Sequence, residues 1–495
     1  MKYAQIFLLV IMTFALGITS CRREKITESS DAKLDFSVDT VLFDTVFTTI
    51  GSITKSVRIY NNNPDRVRIS SIELEGGSQS NFRMNVDGLP GDLFTEIEIA
   101  AGDSMWIFVE VTVDPGNQSN PFVIEDRIIF ETNGNQQQVW LAAWGQDAYF
   151  HGGLGGLSVL DCNEVWNADR PHVIYGIVAV DENCCLTINQ GTQVHCHKGS
   201  GIYVFKGCID VNGQFQNEVV FQGDRLDAGY TDLPGQWGIE LTFEYESDFG
   251  IEQFTAVRGG IWLFESTGSN IDYAIIKNGN IGIQVDTLGS ASENALTLTN
   301  TRIENMGVIG LYGQGASIYG NNNLITNCGQ SCANLGIGGK YQFEYCTFAN
   351  YWTGSNRQTP TLSLSNYYLT STNQVIVRPL TDTFFYNCII WGNNAGLTDF
   401  GELLVSMEDS GNPQYQFSYC AVDSETSTAD GANYLGVVNG ATPPFVAAGE
   451  GDFHLISSAS STWNGGPIST SATPFLDLDQ QFRVLPGRKG CFEGQ

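Results

Sequence analysis

Basic residues are scarce in this chain: 24 Lys and Arg stand against 54 Asp and Glu, for a net charge of −30 over 495 residues. A surface this acidic repels phosphate backbones, so we expect no nucleic-acid partner. Histidine is rarer still, with 5 residues. His195 and His197 share one strand face, but no third ligand lies near them, so we expect no metal and no cofactor. Neither a phosphate-cradling glycine loop nor a nucleophile elbow is present.

Long apolar runs are also missing, except at the N terminus. Lys2 precedes an apolar run from Ile6 to Leu16, and small residues follow before Cys21. This is the pattern of a secretory signal, and the run is too short to span a membrane. The ending at Cys21 resembles a bacterial lipobox, which implies acyl chains on that cysteine. We predict a signal peptide over 1–20, a tether over 21–33 and a membrane partner through the lipid on Cys21.

Glycine, at 55 residues, and aromatic residues, at 12%, are plentiful, as is typical of a turn-rich β protein. Residues 34–146 contain about seven short segments that alternate apolar and polar residues, with turns between them. This pattern predicts an immunoglobulin-like β-sandwich. The phrases 57–62, 97–104 and 109–115 resemble bacterial immunoglobulin-like domains of the ASH kind. That resemblance implies a spacer or interaction module without a catalytic set.

A short phrase recurs further along the chain: a large apolar residue, any residue, then Asn. The four asparagines are separated by 27, 22 and 23 residues, and they are Asn278, Asn305, Asn327 and Asn350. Repeats of this length are typical of a solenoid, whose coils bury their apolar faces only by stacking. Stacked coils let one amide donate to the next, and Asn tolerates a left-handed backbone. We therefore predict a structural asparagine ladder.

The cysteines indicate the same stacking. Small and medium residues occupy one predicted inward column, which holds Ala274, Thr301, Asn323, Cys346, Cys388 and Cys420. Without Cys21 the chain has 11 cysteines, so at least one thiol has no partner within the chain. Two sets of cysteines are close enough in sequence to pair: Cys328 with Cys332, and Cys184 and Cys185 with Cys162, Cys196 or Cys208.

The phrases 186–192, 199–204, 221–227 and 233–239 resemble a family of right-handed parallel β-helix lipoproteins from Bacteroidetes. The resemblance implies a pectate-lyase-like solenoid over 147–495 with a C-terminal cap. It also implies an outer-membrane lipoprotein, on the periplasmic side or the cell surface, and no established activity. The predicted fold class is all-β, with an immunoglobulin-like β-sandwich followed by this right-handed parallel β-helix.

The densest polar cluster precedes the asparagine phrases. It consists of Asp224, Arg225, Asp227, Tyr230, Asp232, Gln236 and Trp237. Carboxylates beside aromatic rings suit a saccharide-binding lip or an acid/base pair. The alternative is structural: an Asp224–Arg225 pair ties a loop to a coil, and Trp237 covers the core. A polysaccharide lyase would need Arg225 or Arg258 beside calcium-binding carboxylates, and no such carboxylate set is evident.

Three functions fit these features. The first is a lipid-anchored, non-catalytic envelope protein that binds a polysaccharide or a protein ligand. The second is a carbohydrate-active enzyme, a lyase or a glycoside hydrolase, with the polar cluster as its cleft. The third is a purely structural component of the envelope.

Overall fold

The computed structural model describes residues 25–47, 52–112, 122–226, 229–247, 250–286, 293–393, 401–408, 412–467, 476–484 and 487–493. The predicted signal peptide, Cys21 and Asp227 lie outside these residues. The chain divides into two compact units, of which the first ends at Asp147 and the second begins at Ala148. Within the described ranges, no helix combines the length and the apolar character that crossing a membrane requires.

The first unit consists of two β-sheets around one apolar core. One sheet contains Ile26–Thr27, Arg66–Leu74, Phe122–Thr132, Asn135–Gln146 and Thr40–Phe47 in that order, with Leu93–Ile99 also paired to Arg66–Leu74. The other contains Asp35–Phe36, Lys55–Tyr60, Ser104–Val111, Phe82–Val86 and Leu89–Gly91. A 3-10 helix spans Gly77–Gln79. Alternate residues of both sheets enter the core, which makes this unit a β-sandwich.

The second unit is built on one continuous parallel sheet of 26 strands in the described residues. The strands are Tyr149–Val159, Val165–Trp166, His172–Val180, Cys185–Asn189, Gln193–Cys196, Gly201–Phe205, Cys208–Asn212, Val219–Gly223, Gly259–Phe264, Ser269–Asp272, Ala274–Lys277, Ile281–Asp286, Leu296–Thr299, Arg302–Met306, Ile309–Asn321, Leu324–Cys328, Ser331–Glu344, Thr347–Asn350, Leu362–Ser365, Thr383–Tyr386, Ile389–Gly392, Leu403–Ser406, Tyr415–Ser418, Ala421–Val422, Tyr434–Leu435 and Val438–Asn439.

Smaller elements project from this sheet. Three antiparallel hairpins are formed by Glu240–Ser247 with Gly250–Val257, Tyr367–Leu369 with Val375–Val377, and Phe445–Ala447 with Asp452–Leu455. Two 3-10 helices, Ala448–Glu450 and Ser461–Trp463, lie in the C-terminal segment.

Each complete coil of the second unit contributes a strand to each of three faces. In one coil the first face has Ile281–Asp286, the second Leu296–Thr299 and the third Arg302–Met306. Each strand pairs in parallel with its counterpart one coil on, so Ile283 lies beside Leu311 and Ile303 beside Ile325. The inward residues form one core along the coils. The predicted all-β chain, with a β-sandwich followed by a parallel β-helix, is confirmed.

The corner between the second and third faces holds the predicted inward column. Thr301, Asn323, Cys346, Cys388 and Cys420 are all completely buried. The Thr301 backbone N–H donates to Asn323 Oδ1 at 3.0 Å, and Asn323 Nδ2 lies 3.7 Å from Cys346 Sγ. Cys328 and Cys332 are buried free thiols, whereas the disulfides are Cys162–Cys184 and Cys185–Cys208.

Three insertions leave the helix at the corner between the third face and the first face of the next coil. They follow Gly223, Asn350 and Gly392. The coils between the first two insertions turn this corner in a few residues. A depression bounded by insertions therefore forms at this corner, and it contains the candidate site.

Candidate functional site

The asparagine ladder lies on the corner between the third and first faces. Lys277 pairs with Glu304, and Glu304 pairs with Thr326, so the residues that follow them occupy equivalent positions of three successive coils. These are Asn278, Asn305 and Asn327, with φ of 65°, 57° and 53°. Asparagine suits this position because its short side chain tolerates a left-handed backbone and bonds locally. The repeated sequence phrase, an apolar residue, any residue and Asn, therefore corresponds to the corner between the third face and the first face of the next coil.

The amide-to-amide hydrogen bond predicted along the whole ladder is present at its start. Asn305 Nδ2 donates to Asn278 Oδ1 at 2.7 Å. Asn350 departs from the pattern: it is fully buried, its Oδ1 accepts from the Cys328 backbone N–H, and its Nδ2 donates to the Cys328 carbonyl. The chain enters the insertion 351–361 directly after Asn350, so no tight left-handed turn forms there and the amide bonds to backbone instead.

Part of the predicted polar cluster folds over the first two ladder positions. Asn278 Nδ2 donates to the Thr231 carbonyl at 2.7 Å, and Asn305 Nδ2 donates to the Asp232 carbonyl at 2.7 Å. Gln236 ties the same loop to itself, because its Nε2 donates to the carbonyls of Tyr230 and Leu233. Two features that are separate in the sequence, the ladder and the cluster, therefore meet in the structure.

The third ladder position opens into a groove of about 340 Å³. We call it the asparagine groove, and its lining residues are Asp232, Pro234, Asn305, Asn327, Tyr351, Trp352, Thr353, Gly354, Asn393, Ala448 and Gly449. The Oδ1 of Asn327 has no hydrogen-bond partner in the described residues. A buried amide oxygen normally has one, so the protein leaves this side chain incompletely hydrogen-bonded.

Two aromatic side chains from the insertion 351–361 form another wall of the groove. Trp352 is partly exposed, and its Nε1 donates to Ser355 Oγ at 2.9 Å, which fixes the ring. Tyr351 packs edge-on against Phe445 of the C-terminal segment at 6.3 Å. Burial raises the pKa of Tyr351 to about 12, so its hydroxyl stays neutral at physiological pH. The residues that line the groove thus include two large aromatic residues, three asparagines and one aspartate.

The beginning of the predicted cluster forms a different contact set. Asp224 Oδ2 lies 2.7 Å from His197 Nδ1 and 3.4 Å from the hydroxyl of Tyr175, whose ring stacks on His197 at 4.6 Å. The hydrogen bond that Asp224 accepts from His197 raises the pKa of His197. The guanidinium of Arg225 lies 3.2 Å from the centre of the Tyr230 ring. These residues do not line the asparagine groove.

Trp237 belongs to the core, with 1% of its surface exposed. Its Nε1 donates to the Lys277 carbonyl at 2.8 Å, directly before Asn278. It therefore supports the corner from inside and does not offer a ring to a ligand, in agreement with the structural alternative. His195 is also buried, with Nδ1 beside the Gly223 carbonyl at 3.2 Å. No group of three metal-ligating side chains occurs within the described ranges.

Sequence reasoning did not find Tyr351, Trp352 and Asn393, which complete the groove. One signal was available, because Tyr351 and Trp352 directly follow the fourth asparagine of the repeated phrase. Tyr351 and Trp352 come directly after the last asparagine of the ladder and begin an insertion. This position in the sequence indicates that both rings lie at the same corner as the ladder.

No family model matches the chain, and no curated protein matches it. Solved structures match at low similarity. XylC in complex with xylose is 9% identical over 77% of this chain and 69% of that chain, with a TM-score of 0.29. The catalytic unit of a GH87 α-1,3-glucanase from Streptomyces thermodiastaticus is 10% identical over 77% and 66%, with a TM-score of 0.23.

The ASH/PapD-like domain of human CEP192 is 10% identical over 26% of this chain and 93% of that chain, with a TM-score of 0.17. In other matches this chain spans only 26% or 31% of the other protein. A carbohydrate-active enzyme is thus among the similar structures, at a similarity too low to assign an activity.

Proposed function

We propose that this protein binds a neutral saccharide in the asparagine groove. The observation that supports the proposal is the composition of one concave site: Trp352 and Tyr351 supply ring faces, while Asn327 and Asn393 supply amides. Aromatic faces pack against the apolar side of a sugar ring, and amides exchange hydrogen bonds with its hydroxyls. A volume of about 340 Å³ lies within the usual range for small-ligand sites.

The charge of the chain selects among glycans. A net charge of −30 opposes polyanionic polymers such as uronate-rich or sulfated chains. Asp232 adds a carboxylate to the groove itself. A neutral glycan is therefore the ligand class that this groove accommodates best, and non-catalytic binding is the role that we propose for it.

The test is isothermal titration of the purified full-length chain with neutral gluco-, xylo-, manno- and galacto-oligosaccharides, from di- to hexasaccharides. We expect Trp352→Ala to weaken binding of the preferred sugar about tenfold or more, and Asn327→Leu to weaken it several-fold. Trp106→Ala serves as a matched control, because this exposed tryptophan lies in the first unit. Absence of binding across the panel, or an unchanged affinity in Trp352→Ala, would refute the proposal.

We also propose that the protein is an outer-membrane lipoprotein of the Bacteroidetes kind, attached through Cys21. The support is the sequence around Cys21, which follows a signal-like apolar run. In cells, Cys21→Ser is expected to move the protein from the membrane fraction to the soluble fraction and to abolish incorporation of labelled fatty acid. Retention of both properties by the variant would show that Cys21 is not the anchor.

A carbohydrate-active enzyme is the second candidate function, and one observation favours it. The His197 side chain is 40% exposed while the carboxylate that holds its Nδ1 is 11% exposed. A partly exposed imidazole on a buried carboxylate suits general acid/base chemistry. Release of reducing ends or unsaturated products from neutral polysaccharides, lost in His197→Ala, would establish catalysis. If no product forms and no sugar binds, the purely structural role is favoured.

A further inference from the structure

Three free cysteines lie side by side on successive coils of the β-helix. Thr347 pairs with Ile389, and Ile389 pairs with Ala421, so the residues directly before them occupy equivalent positions. These residues are Cys346, Cys388 and Cys420. We call them the cysteine column, and all three are completely buried free thiols. The middle cysteine therefore has a thiol neighbour on each side.

The register of these coils is fixed on both sides of the cysteine column. Before the corner, Phe343, Phe385 and Phe417 are paired in line, and successive rings stack at 5.3 and 4.7 Å between centres. After the corner, the Ile389 backbone N–H donates to the Cys346 carbonyl at 3.0 Å. Adjacent Cα atoms of the column are therefore held at about the 4.8 Å spacing of paired strands.

The sulfur atoms of the column lie across the gaps between coils. Cys388 Sγ is 3.5 Å from the carbonyl oxygen of Phe343, which belongs to the coil of Cys346. Cys420 Sγ is 3.3 Å from the carbonyl oxygen of Phe385, which belongs to the coil of Cys388. Burial raises the pKa of Cys388, and contact with the thiols of Cys346 and Cys420 raises it further. The Cys388 thiol thus contacts the thiols on both sides.

The two disulfides of this unit have the same arrangement. Cys185 pairs directly with Cys208 on the neighbouring strand, and their Cα atoms are 4.5 Å apart. Cys162 and Cys184 are also one coil apart, with their Cα atoms at 5.0 Å. Disulfides accept Cα separations of about 4.4–6.8 Å, and the spacing of the cysteine column lies within this range. A bond between adjacent coils therefore requires no rearrangement of the backbone there.

We propose that the cysteine column is the site of a third disulfide, which Cys388 forms with either Cys346 or Cys420 while the remaining cysteine stays a thiol. A sulfur atom takes part in one disulfide at a time, so three adjacent cysteines permit one bond and two alternatives. Two disulfides in the same unit favour an oxidising setting, in which such a bond persists. The inference does not depend on the proposed saccharide site.

The oxidant is a small disulfide, such as oxidised glutathione, or a disulfide-bonded oxidoreductase. A thiolate of the column attacks the disulfide of the oxidant, and a neighbouring thiol of the column then displaces the oxidant from the mixed disulfide. One Sγ–Sγ bond forms in the protein and the S–S bond of the oxidant breaks. The two protons released by the column end on the two sulfur atoms of the reduced oxidant.

Burial limits when this bond forms. The thiolate is the reactive species, and burial opposes both its formation and its contact with an oxidant. Oxidation therefore requires these coils to open, either during folding or by local unfolding. Once the bond is formed, the remaining thiol adjoins it and can attack it, so the cross-link can move by one coil without a further reagent.

The test maps the cysteines of the purified full-length chain. The chain is reduced and then equilibrated with oxidised glutathione in urea below the unfolding transition. Free thiols are blocked in denaturant, and the chain is cleaved after Lys, Arg and Glu, because Arg357 and Glu402 separate the three cysteines. We expect the column to lose two of its three free thiols. Mass spectrometry should find the cross-linked peptides Cys346–Cys388 and Cys388–Cys420, and none that joins Cys346 to Cys420.

Four variants distinguish the shared bond from other oxidation. Cys346→Ala and Cys420→Ala should each retain one disulfide, between Cys388 and its remaining neighbour. Cys388→Ala should form none in the column. Cys196→Ala removes a buried free thiol from the early coils and is the matched control, which should oxidise as the parent chain does. Circular dichroism and thermal melting should show that each variant folds like the parent chain.

The parent chain alone can refute the proposal, so the test does not rest on the folding of a variant. The proposal is wrong if the column keeps all three thiols while Cys185 and Cys208 form their disulfide again in the same buffer. A disulfide between Cys346 and Cys420 that forms in Cys388→Ala would also contradict it. The sharing by Cys388 is wrong if only one of the two cross-linked peptides forms in the parent chain.

Discussion

The first coils and the last coils of the second unit are held together by different interactions. At the start, two disulfides, Cys162–Cys184 and Cys185–Cys208, join neighbouring coils along one corner. Beside them the neutral rings of His151 and His172 stack with Trp166, at 4.3 and 4.7 Å from it. In the later coils the cysteines are buried free thiols, Arg357 and Glu402 form a buried ion pair, and Asp479 of the C-terminal segment pairs with Arg302 of a coil.

The difference follows from what each end has to cover. Coils at a solenoid terminus lack a neighbour on one side, so each end needs another source of stability. The first coils are short and regular, and covalent links between equivalent residues suffice. The later coils are interrupted by insertions, and the segment after residue 440 contacts their third-face side, with an ion pair from Asp479 to Arg302 and a hydrogen bond from Arg483 to Asn322. A charge-held end responds to mutation and to pH differently from a disulfide-held end.

The largest effect is expected from the buried ion pair of Arg357 and Glu402, whose side chains are 2% and 1% exposed. Glu402 accepts from both terminal nitrogens of Arg357, at 2.7 and 2.8 Å, and from the hydroxyl of Thr361 at 2.7 Å. Arg357→Ala leaves a buried carboxylate without its counter-ion, so we expect a loss of about 3–5 kcal/mol in unfolding free energy. Denaturant unfolding measures it.

The double variant Arg357→Met/Glu402→Leu is the control, because it removes both charges and leaves apolar side chains of similar volume. We expect it to be more stable than Arg357→Ala alone. If the two variants lost the same unfolding free energy, the unpaired carboxylate would not be the cause of the loss, and the buried ion pair would not be what stabilises these later coils.

The second prediction concerns the disulfide-held end. Cys185 and Cys208 are 23 residues apart, and removing a cross-link over a loop of this length costs about 3 kcal/mol in the chain-entropy model. Cys185→Ser/Cys208→Ser should therefore lower the stability of the first coils, measured by hydrogen exchange of strands 185–189 and 208–212. Cys388→Ala, at a buried free thiol, is the matched control and should leave these strands unchanged. Equal exchange in both variants would contradict the prediction.

Both the asparagine ladder and these disulfides join equivalent residues of successive coils, so both depend on the number of residues in a coil. Features of this periodic kind are the ones that the sequence predicts best. The disulfide separations of 22 and 23 residues equal two of the steps between the ladder asparagines. Equivalent residues of successive coils must lie side by side, so a periodic pattern predicts the ladder and limits the cysteine partners. Spacing does not decide the pairs, because Cys162 lies 22 residues before Cys184 and 23 before Cys185; the structure pairs Cys162 with Cys184 and Cys185 with Cys208.

The asparagine groove was predicted only in part, because its walls come from insertions. Asp232 was identified as a site residue, but the loop that carries it meets Asn305 across 73 residues of sequence. Tyr351 and Trp352 obey no coil period, and the one sequence signal for their place is that they directly follow Asn350. Trp237 illustrates the opposite difficulty: a large aromatic residue suits the core as well as a binding lip, and only its 1% exposure decides between them.

A third prediction is that acid weakens the first coils. His151 Nε2 and His172 Nδ1 are 2.9 Å apart, and His172 Nε2 faces the Asn167 carbonyl at 3.1 Å. Burial lowers the pKa of both rings to about 4. The folded state therefore excludes a proton that the unfolded chain binds below about pH 6.5, so stability falls as the pH drops from about 6.5 to 4.

We expect a loss of at least about 2 kcal/mol over this range, since each pKa unit of either ring corresponds to about 1.4 kcal/mol and Glu164 lies near enough to offset part of the sum. Hydrogen exchange of strands 149–159 and 172–180 as a function of pH provides the measurement. His172→Gln should flatten the dependence. A parent chain whose first coils exchange equally at pH 4 and pH 7 would contradict the mechanism.

The smallest effect is predicted at the other end, and it has the opposite sign. His454 Nδ1 lies 2.6 Å from Asp452 Oδ1, and its Nε2 lies 2.8 Å from Asp479 Oδ2. The hydrogen bond to Asp479, followed in effect by that to Asp452, raises the pKa of His454. Protonated His454 therefore adds its full contribution to the free energy of unfolding below about pH 6.5, the pKa of histidine in the unfolded chain. This contribution is lost as the pH rises through the raised pKa of the folded state.

The expected size is about 0.5–1 kcal/mol, because the three side chains are partly exposed and solvent screens them. Hydrogen exchange of residues 452–455 and 476–484 should accelerate modestly as the pH is raised above about 6.5, after correction for intrinsic exchange. In the same samples the first coils should be unchanged, because His151 and His172 are already neutral there. His454→Gln should exchange faster than the parent at pH 6 and equally at high pH. The contrast would be wrong if hydrogen exchange accelerated in both regions at acidic pH, or in both regions at alkaline pH. It predicts that acid destabilises the coils around His151 and His172 and that alkali destabilises the segment around His454.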